Sequence, residues 1–188
     1  MSSHHIIRDN QEPALLVLKA GQVAFEVIEE LLEWSPSVIV DESQIELFLF
    51  RGIKIDAVLF EEEHRNEITE KIKDQLPVHL LSYQSESPLA RALSFLLEKN
   101  HDYVNIITGS IDFLNNLKVL DNPKNISVFH LNIRWSLVRS GHFEKWVAND
   151  VRITLLEDNE QIVLNADKEN MIKISKSESF WIGETLKD

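Results

Sequence analysis

The first half of the chain alternates short apolar runs with segments whose apolar residues recur at helical spacing. The apolar runs predict buried strands at residues 13–18, 38–40, 55–60, 78–81 and 103–107. The segments between them predict helices at residues 23–34, 43–50, 67–75 and 88–100. Strands that alternate with helices build βαβ units, so this half is predicted to be an α/β domain with a parallel sheet.

The pattern changes after about Lys124, where strand-like runs follow one another with turn residues between them. These runs cover residues 126–129, 135–138, 151–156, 161–164 and 171–175. We therefore expect an α/β domain over residues 1–124. A small antiparallel β domain with a sandwich-like arrangement is expected over residues 125–188.

Charge and composition argue against several classes of function for this protein. The formal net charge of −12 disfavours binding to a nucleic-acid backbone, and no apolar run approaches the length of a membrane span. The absence of cysteine excludes disulfides, thiolate nucleophiles and cysteine-based zinc sites. No apolar segment of the kind found in secretory signals follows the N-terminus, so a cytoplasmic protein is expected.

Parallel sheets bind ligands beyond the carboxyl ends of their strands, which selects five loops as candidate site segments. The loops that follow the predicted strands are Lys19–Gln22, Asp41–Ser43, Glu61–Asn66, Ser82–Ser87 and Thr108–Asn116. They contain neither a glycine-rich phosphate loop nor a serine nucleophile elbow. The histidines show no metal-ligand spacing either.

Carboxylates in two of these loops suggest a metal site. Glu61 and Glu63 are spaced so that both can reach one Mg²⁺ ion, and Asp112 in another loop can join them. The alternative for the glutamates is a solvated acidic turn at the start of a helix. The alternative for Asp112, which is also the candidate catalytic residue, is a helix N-cap.

Three tryptophans fall in the second half of the chain. Trp135, Trp146 and Trp181 can line an aromatic pocket. The alternative is that they form the core of a small β unit. The pattern alone does not choose between these interpretations.

Several short stretches resemble thiamine pyrophosphokinases, in which an α/β catalytic domain precedes a β-sandwich domain. The similarity involves residues 1–15, which include Met-Ser-Ser-His-His and Gln-Glu-Pro-Ala-Leu, and Leu-Glu-Trp-Ser-Pro at 32–36. It continues with Gly-Ile-Lys-Ile-Asp at 52–56 and Phe-Glu-Lys-Trp at 143–146. The resemblance implies the same two-domain fold with a shortened second domain, binding of a thiamine-type small molecule, and a homodimer.

The family's catalytic motifs are altered at the matching positions. Gly-Asp-Phe-Asp appears as Phe60 to Glu63, and Lys-Thr-Asp appears as Glu86-Ser87-Pro88. Gly-Arg-x-x-Asp-His appears as residues 109–113, which keep Asp112 but lack the arginine and the histidine. We expect the bulky Phe60 ring to project into the nucleotide cleft and fill it.

Three functional hypotheses follow. The first is a degenerate, catalytically inactive thiamine pyrophosphokinase-like protein with a binding or regulatory role and no cofactor. The second is an active kinase that transfers pyrophosphate from ATP to thiamine, with Mg²⁺ held by Glu61, Glu63 and Asp112. The third is a purely structural or interaction protein. A homodimer is expected because the second segment looks too small to bury its three tryptophans alone.

Overall fold

The computed structural model describes residues 12–34, 37–118, 123, 125–148, 150–158 and 160–186. The N-terminal stretch that carries part of the family resemblance, residues 1–11, lies outside the described residues, as do Ser35 and Pro36. Within the described part of the chain, none of the helices combines the length and the apolar character needed to cross a bilayer.

The main structural element of the molecule is one sheet of ten strands. Its parallel part consists of β1 (Ala14–Val17), β2 (Val38–Asp41), β3 (Ala57–Glu61), β4 (His79–Tyr83), β5 (Tyr103–Ile107) and β6 (Asn125–His130). The antiparallel part consists of β7 (Ile133–Val138), β9 (Ile153–Glu157), β10 (Glu160–Leu164) and β12 (Phe180–Thr185). The strand order is β10-β9-β12-β7-β6-β5-β1-β2-β3-β4.

The remaining two strands form a separate antiparallel sheet. They are β8 (His142–Trp146) and β11 (Met171–Ser175). Apolar side chains from β8 and β11 pack with Ile153, Leu155, Phe180 and Ile182 of the large sheet. This packing gives the second half of the chain the predicted sandwich-like character. The α/β fold followed by a small antiparallel unit is therefore confirmed.

Helices cover both faces of the parallel strands. They are α1 (Phe25–Leu32), α2 (Ile45–Phe50), α3 (Arg65–Lys71), α4 (Pro88–Glu98) and α5 (Leu114–Leu117), with short 3₁₀ turns at Glu42–Gln44, Glu62–His64 and Lys73–Gln75. The helix α4 begins at Pro88, the residue at which the sequence predicts it to begin. Ser87 accepts a hydrogen bond from the Ala90 amide at 3.1 Å, and Pro88 takes the first helical position.

The alternation of side chains along each strand divides the core between the two faces of the sheet. Leu15 and Val17 of β1 point to the face that α1, α2 and α3 cover. Ala14 and Leu16 point to the opposite face, which α4 and α5 cover. Each face is a fully apolar layer, which explains why these strands are continuous apolar runs in the sequence.

Two strands that the sequence pattern did not predict, β8 and β12, complete the second half of the chain. The residue Gly183 interrupts the apolar pattern of β12, and a side chain there would meet Ile133 and Trp135 at 2.9 Å. The glycine is needed because the neighbouring strand packs closely at this point. The sheet itself continues from β5 through β6 into β7. The predicted division between residues 124 and 125, and the shortening of the second domain, stay predictions.

Candidate functional site

The carboxyl edge of the parallel strands contains a topological switch point. The central strand β1 pairs with β2 on one side and with β5 on the other, in parallel in both cases. The chain leaves β1 toward β2, so the boundary between β1 and β5 is where a parallel α/β sheet is expected to bind its ligand. The loops after these two strands are residues 18–24 and 108–113.

Lys19 and Gly109 meet at this switch point. The backbone amides of Leu18 and Lys19 both donate to the Ile107 carbonyl, at 2.9 and 3.3 Å. A side chain on Gly109 would come within 2.6 Å of Cδ of Lys19, so the glycine allows the lysine side chain to lie across the loop. The strand order predicts this loop as part of the site but does not predict Lys19, because one lysine after a strand is not a motif.

The loop after β5 is closed by hydrogen bonds among its own residues. The Thr108 hydroxyl donates to the Ser110 carbonyl at 3.1 Å, and the Ser110 hydroxyl donates to Oδ2 of Asp112 at 2.7 Å. Phe113, not Asp112, occupies the N-cap position of α5. The N-cap alternative for Asp112 is therefore wrong, and its exposed carboxylate stabilises the turn instead.

Glu42 links the ends of β2 and β3. Its Oε1 accepts a hydrogen bond from the Glu61 amide at 3.3 Å, and its Oε2 lies 2.8 Å from Nδ1 of His64. The hydrogen bond from Glu42 raises the pKa of His64 above its usual value, and the charges of Glu42, Glu63 and Glu61 add to the effect. The imidazole thus bridges acidic side chains that would otherwise repel one another.

Glu62 and Arg65 form a second pair at the same edge. The guanidinium donates to both carboxylate oxygens, at 2.5 and 2.8 Å. Hydrogen bonds from Arg65 and Ser82 lower the pKa of Glu62 to about 2. Arg65 is the cation that lies closest along the chain to the end of β3, and this bidentate pair holds it on Glu62.

The negative field of the edge reaches Tyr83 at the end of β4. Burial raises the pKa of its phenol to about 12, and the charges of Asp41, Glu42 and Glu61 contribute in the same direction. The loops and strand ends at this edge carry seven carboxylates, at positions 41, 42, 61, 62, 63, 86 and 112, against two permanent cations, Lys19 and Arg65. The edge is strongly acidic.

The predicted metal ligands do not form a metal centre as arranged. Glu61 and Glu63 are exposed, and Glu63 lies 3.6 Å from Nε2 of His64. The carboxylate of Asp112 binds Ser110. Among the described residues, no group of three or more acidic, histidine or cysteine side chains is placed to hold a metal ion. The assignment of Mg²⁺ to Glu61, Glu63 and Asp112 stays a prediction.

Phe60 lies in the core and not in the ligand cleft. Its side chain is fully buried and packs in the apolar layer that includes Phe48 and Ile68. Arg65 covers the ring from outside, with its guanidinium carbon 5.2 Å from the ring centre. The expected cleft position is wrong because alternation along β3 places residue 60 on the same face as Val58, toward the helices.

The three tryptophans have different environments. Trp135 and Trp181 are fully buried and belong to the same apolar layer as Leu16 of β1. Nε1 of Trp181 donates to the Leu114 carbonyl at 2.8 Å. Trp146 is 59% exposed. Trp135 and Trp181 therefore belong to a core that includes the α/β strands, and the three do not line one pocket.

Comparison with known proteins places this geometry in a fold family. No protein-family model matches the chain, and neither does any curated protein sequence. Solved structures do match. Thiamine pyrophosphokinase from Bacillus subtilis is 15% identical with a TM-score of 0.63, over 94% of this chain and 99% of that one. The chain has a thiamine pyrophosphokinase-like fold.

Two further structures give the same result. Yeast thiamine pyrophosphokinase is 6% identical with a TM-score of 0.65, over 94% of this chain and 87% of that one. A probable thiamine pyrophosphokinase from Staphylococcus saprophyticus is 13% identical with a TM-score of 0.60, over 93% of this chain and all of that one. At these identities the likeness establishes the fold alone.

Proposed function

We propose that this chain uses the thiamine pyrophosphokinase-like fold for binding or regulation and does not transfer pyrophosphate. The fold supports a ligand site at the carboxyl edge of the sheet, where the switch point lies. The chemistry of that edge then decides what it can bind. This chemistry differs from that of a nucleotide site.

The observation that carries the proposal is the charge of the carboxyl edge. Seven carboxylates face two permanent cations, and one of those cations, Arg65, is held by Glu62. A phosphoryl-transfer site needs cationic groups or metal ions to neutralise charge that develops on the phosphates. Only Lys19 is left for that role among the loops of this edge, all of which the structure describes.

The same charge suits a different ligand. Thiamine carries a positive charge on its thiazolium ring, so an acidic edge attracts it and repels the polyphosphate of ATP. Glu61 and Glu63 are exposed carboxylates that can pair with such a cation. We therefore propose a thiamine-type small molecule as the ligand.

One observation favours the rival, an active kinase. Lys19 lies at the switch point, with its side chain across Gly109, where it can contact a phosphate. Exposed carboxylates could bind Mg²⁺ together with ATP even though they do not form a metal centre as arranged. The two functions differ in whether Mg²⁺ and ATP bind at all.

A thermal-shift comparison with thiamine, thiamine diphosphate and ATP plus Mg²⁺ tests the proposal. A ligand at a hundredfold excess over its Kd stabilises the folded state by about 2.7 kcal/mol, which raises the melting temperature by several degrees. We expect thiamine to raise it and ATP plus Mg²⁺ to leave it unchanged. Replacing Glu61 and Glu63 with Gln should reduce the thiamine shift, whereas the control Glu160→Gln on β10 should not.

Each other outcome has a defined meaning. A shift with ATP that requires Mg²⁺ would contradict the proposal and support the active kinase. No shift with any of the three ligands would instead support the structural or interaction hypothesis. A thiamine shift that survives the loss of both glutamates would place the ligand away from Glu61 and Glu63.

A further inference from the structure

A cavity of about 350 Å³ opens at the amino edge of the sheet, on the side opposite to the loops described above. Its lining comes from the segments that precede β2, β3, β4 and β5, together with α4. The residues that matter are Lys54, Asp56, His79, Phe95, Lys99 and His101. We call it the amino-edge cavity. Its volume lies within the range of small-molecule sites.

His101, one of the lining residues, has a ring nitrogen without a hydrogen-bond partner. The residue is only 6% exposed, and Nδ1 has no hydrogen-bond partner. Burial lowers the pKa of the ring, and the ring also hydrogen-bonds to the backbone of Glu12. The ring is therefore neutral with its proton on Nε2, which leaves Nδ1 as a lone-pair acceptor. Buried acceptors without a partner are rare and call for an explanation.

Aromatic rings form one wall of the cavity. The rings of His79 and Phe95 lie 5.2 Å apart at an angle of 55°. The ammonium group of Lys99 lies 5.6 Å from the centre of the Phe95 ring. Such a wall favours a flat, apolar ligand ring.

The rim of the cavity is basic. Oδ1 of Asp56 lies 2.9 Å from Nζ of Lys54, and Oδ2 accepts a hydrogen bond from the Val38 amide at 2.9 Å. Both oxygens of the one carboxylate in the lining are thus engaged. Lys54 and Lys99 against this one carboxylate give the lining a formal charge of +1, in a protein of net charge −12.

We propose that the amino-edge cavity binds a small aromatic anion that carries a ring N–H. The ring lies against Phe95, the anionic group reaches Lys54 and Lys99, and the N–H donates to Nδ1 of His101. Because Nδ1 is closed off in the structure, binding displaces the imidazole slightly toward the ligand. No proton or electron transfer is involved.

Two matched probes test the proposal. Indole-3-acetate has the ring, the carboxylate and the N–H, whereas naphthalene-1-acetate has the ring and the carboxylate only. Nuclear magnetic resonance titration of the full chain, labelled uniformly with ¹⁵N, gives both affinities, the backbone amide shifts and the shift of Nδ1. We expect indole-3-acetate to bind with a Kd of about 1 mM or lower and naphthalene-1-acetate to bind at least about tenfold more weakly, a difference of about 1.4 kcal/mol.

Two variants separate the hydrogen bond to His101 from the charge interaction with Lys54. His101→Phe keeps a ring but removes the acceptor, so the tenfold preference should disappear. Lys54→Gln should weaken both probes by the same factor and leave the preference intact. If His101→Phe does not fold, the change in the Nδ1 chemical shift of the unmodified protein on adding indole-3-acetate still tests whether Nδ1 accepts the hydrogen bond.

Three results would overturn the proposal. They are equal affinities for the two probes, a preference that survives in His101→Phe, and no saturable binding of either probe at about 10 mM. Amide shifts confined to Lys19 and Gly109 would also overturn it, because they would place the probe at the carboxyl edge. None of these results depends on whether thiamine binds.

Discussion

At the scale of single residues, the carboxyl edge is shaped by acidic side chains that find partners within the protein. Glu42 binds His64, and Glu62 binds Arg65. Each pair reduces repulsion between carboxylates without making the edge cationic. The field therefore still repels anions, which is the property on which the proposed function depends.

The Glu42–His64 pair predicts a specific pH dependence. Its hydrogen bond raises the pKa of His64 in the folded state above the ordinary 6.5. The pair therefore stabilises the fold fully below about pH 6.5, and this stabilisation is lost as the pH rises through the folded-state pKa. His64→Gln should accordingly lower the free energy of unfolding more at pH 6 than at pH 8.5.

Urea unfolding at the two pH values measures this effect. Glu42→Gln is the matched variant, since it removes the same pair from the other side and should show the same pH dependence. Imidazole resonances should show the pKa of His64 falling in that variant. An equal loss of stability at both pH values would show that protonation of His64 adds no stability to the fold.

Phe60 predicts a large loss of stability on truncation. The ring is fully buried among apolar side chains. Phe60→Ala should therefore lower the free energy of unfolding by about 3–5 kcal/mol. Phe50→Ala is the control, because that ring is 86% exposed and its loss should cost less than about 0.5 kcal/mol. Similar costs for the two variants would mean that Phe60 is not in the core.

At the scale of elements, the parallel strands could be predicted from sequence and the later ones only in part. β5 was predicted with its observed bounds because both faces of the strand are covered and the apolar run is continuous. β12 was missed because Gly183 breaks its pattern for a packing reason that only the neighbouring strand reveals. The helix α5 was missed because it is a single turn.

The candidate site, like the fold, could be predicted from sequence only in part. Strand order along the chain predicted which loops gather at the carboxyl edge. The hydrogen bonds of Glu42 and Asp112 depend on side-chain directions, which a residue list does not contain. The predicted cleft position of Phe60 is wrong because the pleat of β3 directs this side chain into the apolar layer that includes Val58.

Trp181 couples β12 to α5, and its indole provides a test of that coupling. Trp181→Phe removes the indole donor that bonds the buried Leu114 carbonyl. The lost hydrogen bond should lower the free energy of unfolding by roughly 0.5–1.5 kcal/mol. Trp146→Phe, on the exposed side of β8, is the matched control and should cost much less. Equal costs in a denaturant titration would argue against the hydrogen bond.

At the scale of the whole molecule, one sheet joins the two halves of the chain, and Trp135 and Trp181 complete a core that begins at β1. Of the three tryptophans, only Trp146 is therefore left for a partner subunit to bury. Other exposed apolar residues still favour a partner. The edge strand β10 exposes 40% of Ile162 and 57% of Val163.

We propose that the chain forms a homodimer through this second half. An edge strand with apolar side chains readily associates with another chain. Light scattering should report about twice the monomer mass of 21.8 kDa. Val163→Lys should shift the equilibrium toward monomer, whereas Leu97→Lys, which replaces an exposed apolar residue on α4, should not. A monomer at micromolar concentration would contradict the proposal.

The most direct test of the central claim is an assay for thiamine diphosphate formed from thiamine, ATP and Mg²⁺. The yeast enzyme, whose fold this chain shares, serves as the positive control. Because the carboxyl edge is acidic and its Arg65 is held by Glu62, we expect no product above background. Turnover at a rate typical of enzymes, about 1 s⁻¹ or more, would contradict the account and establish the chain as an active kinase.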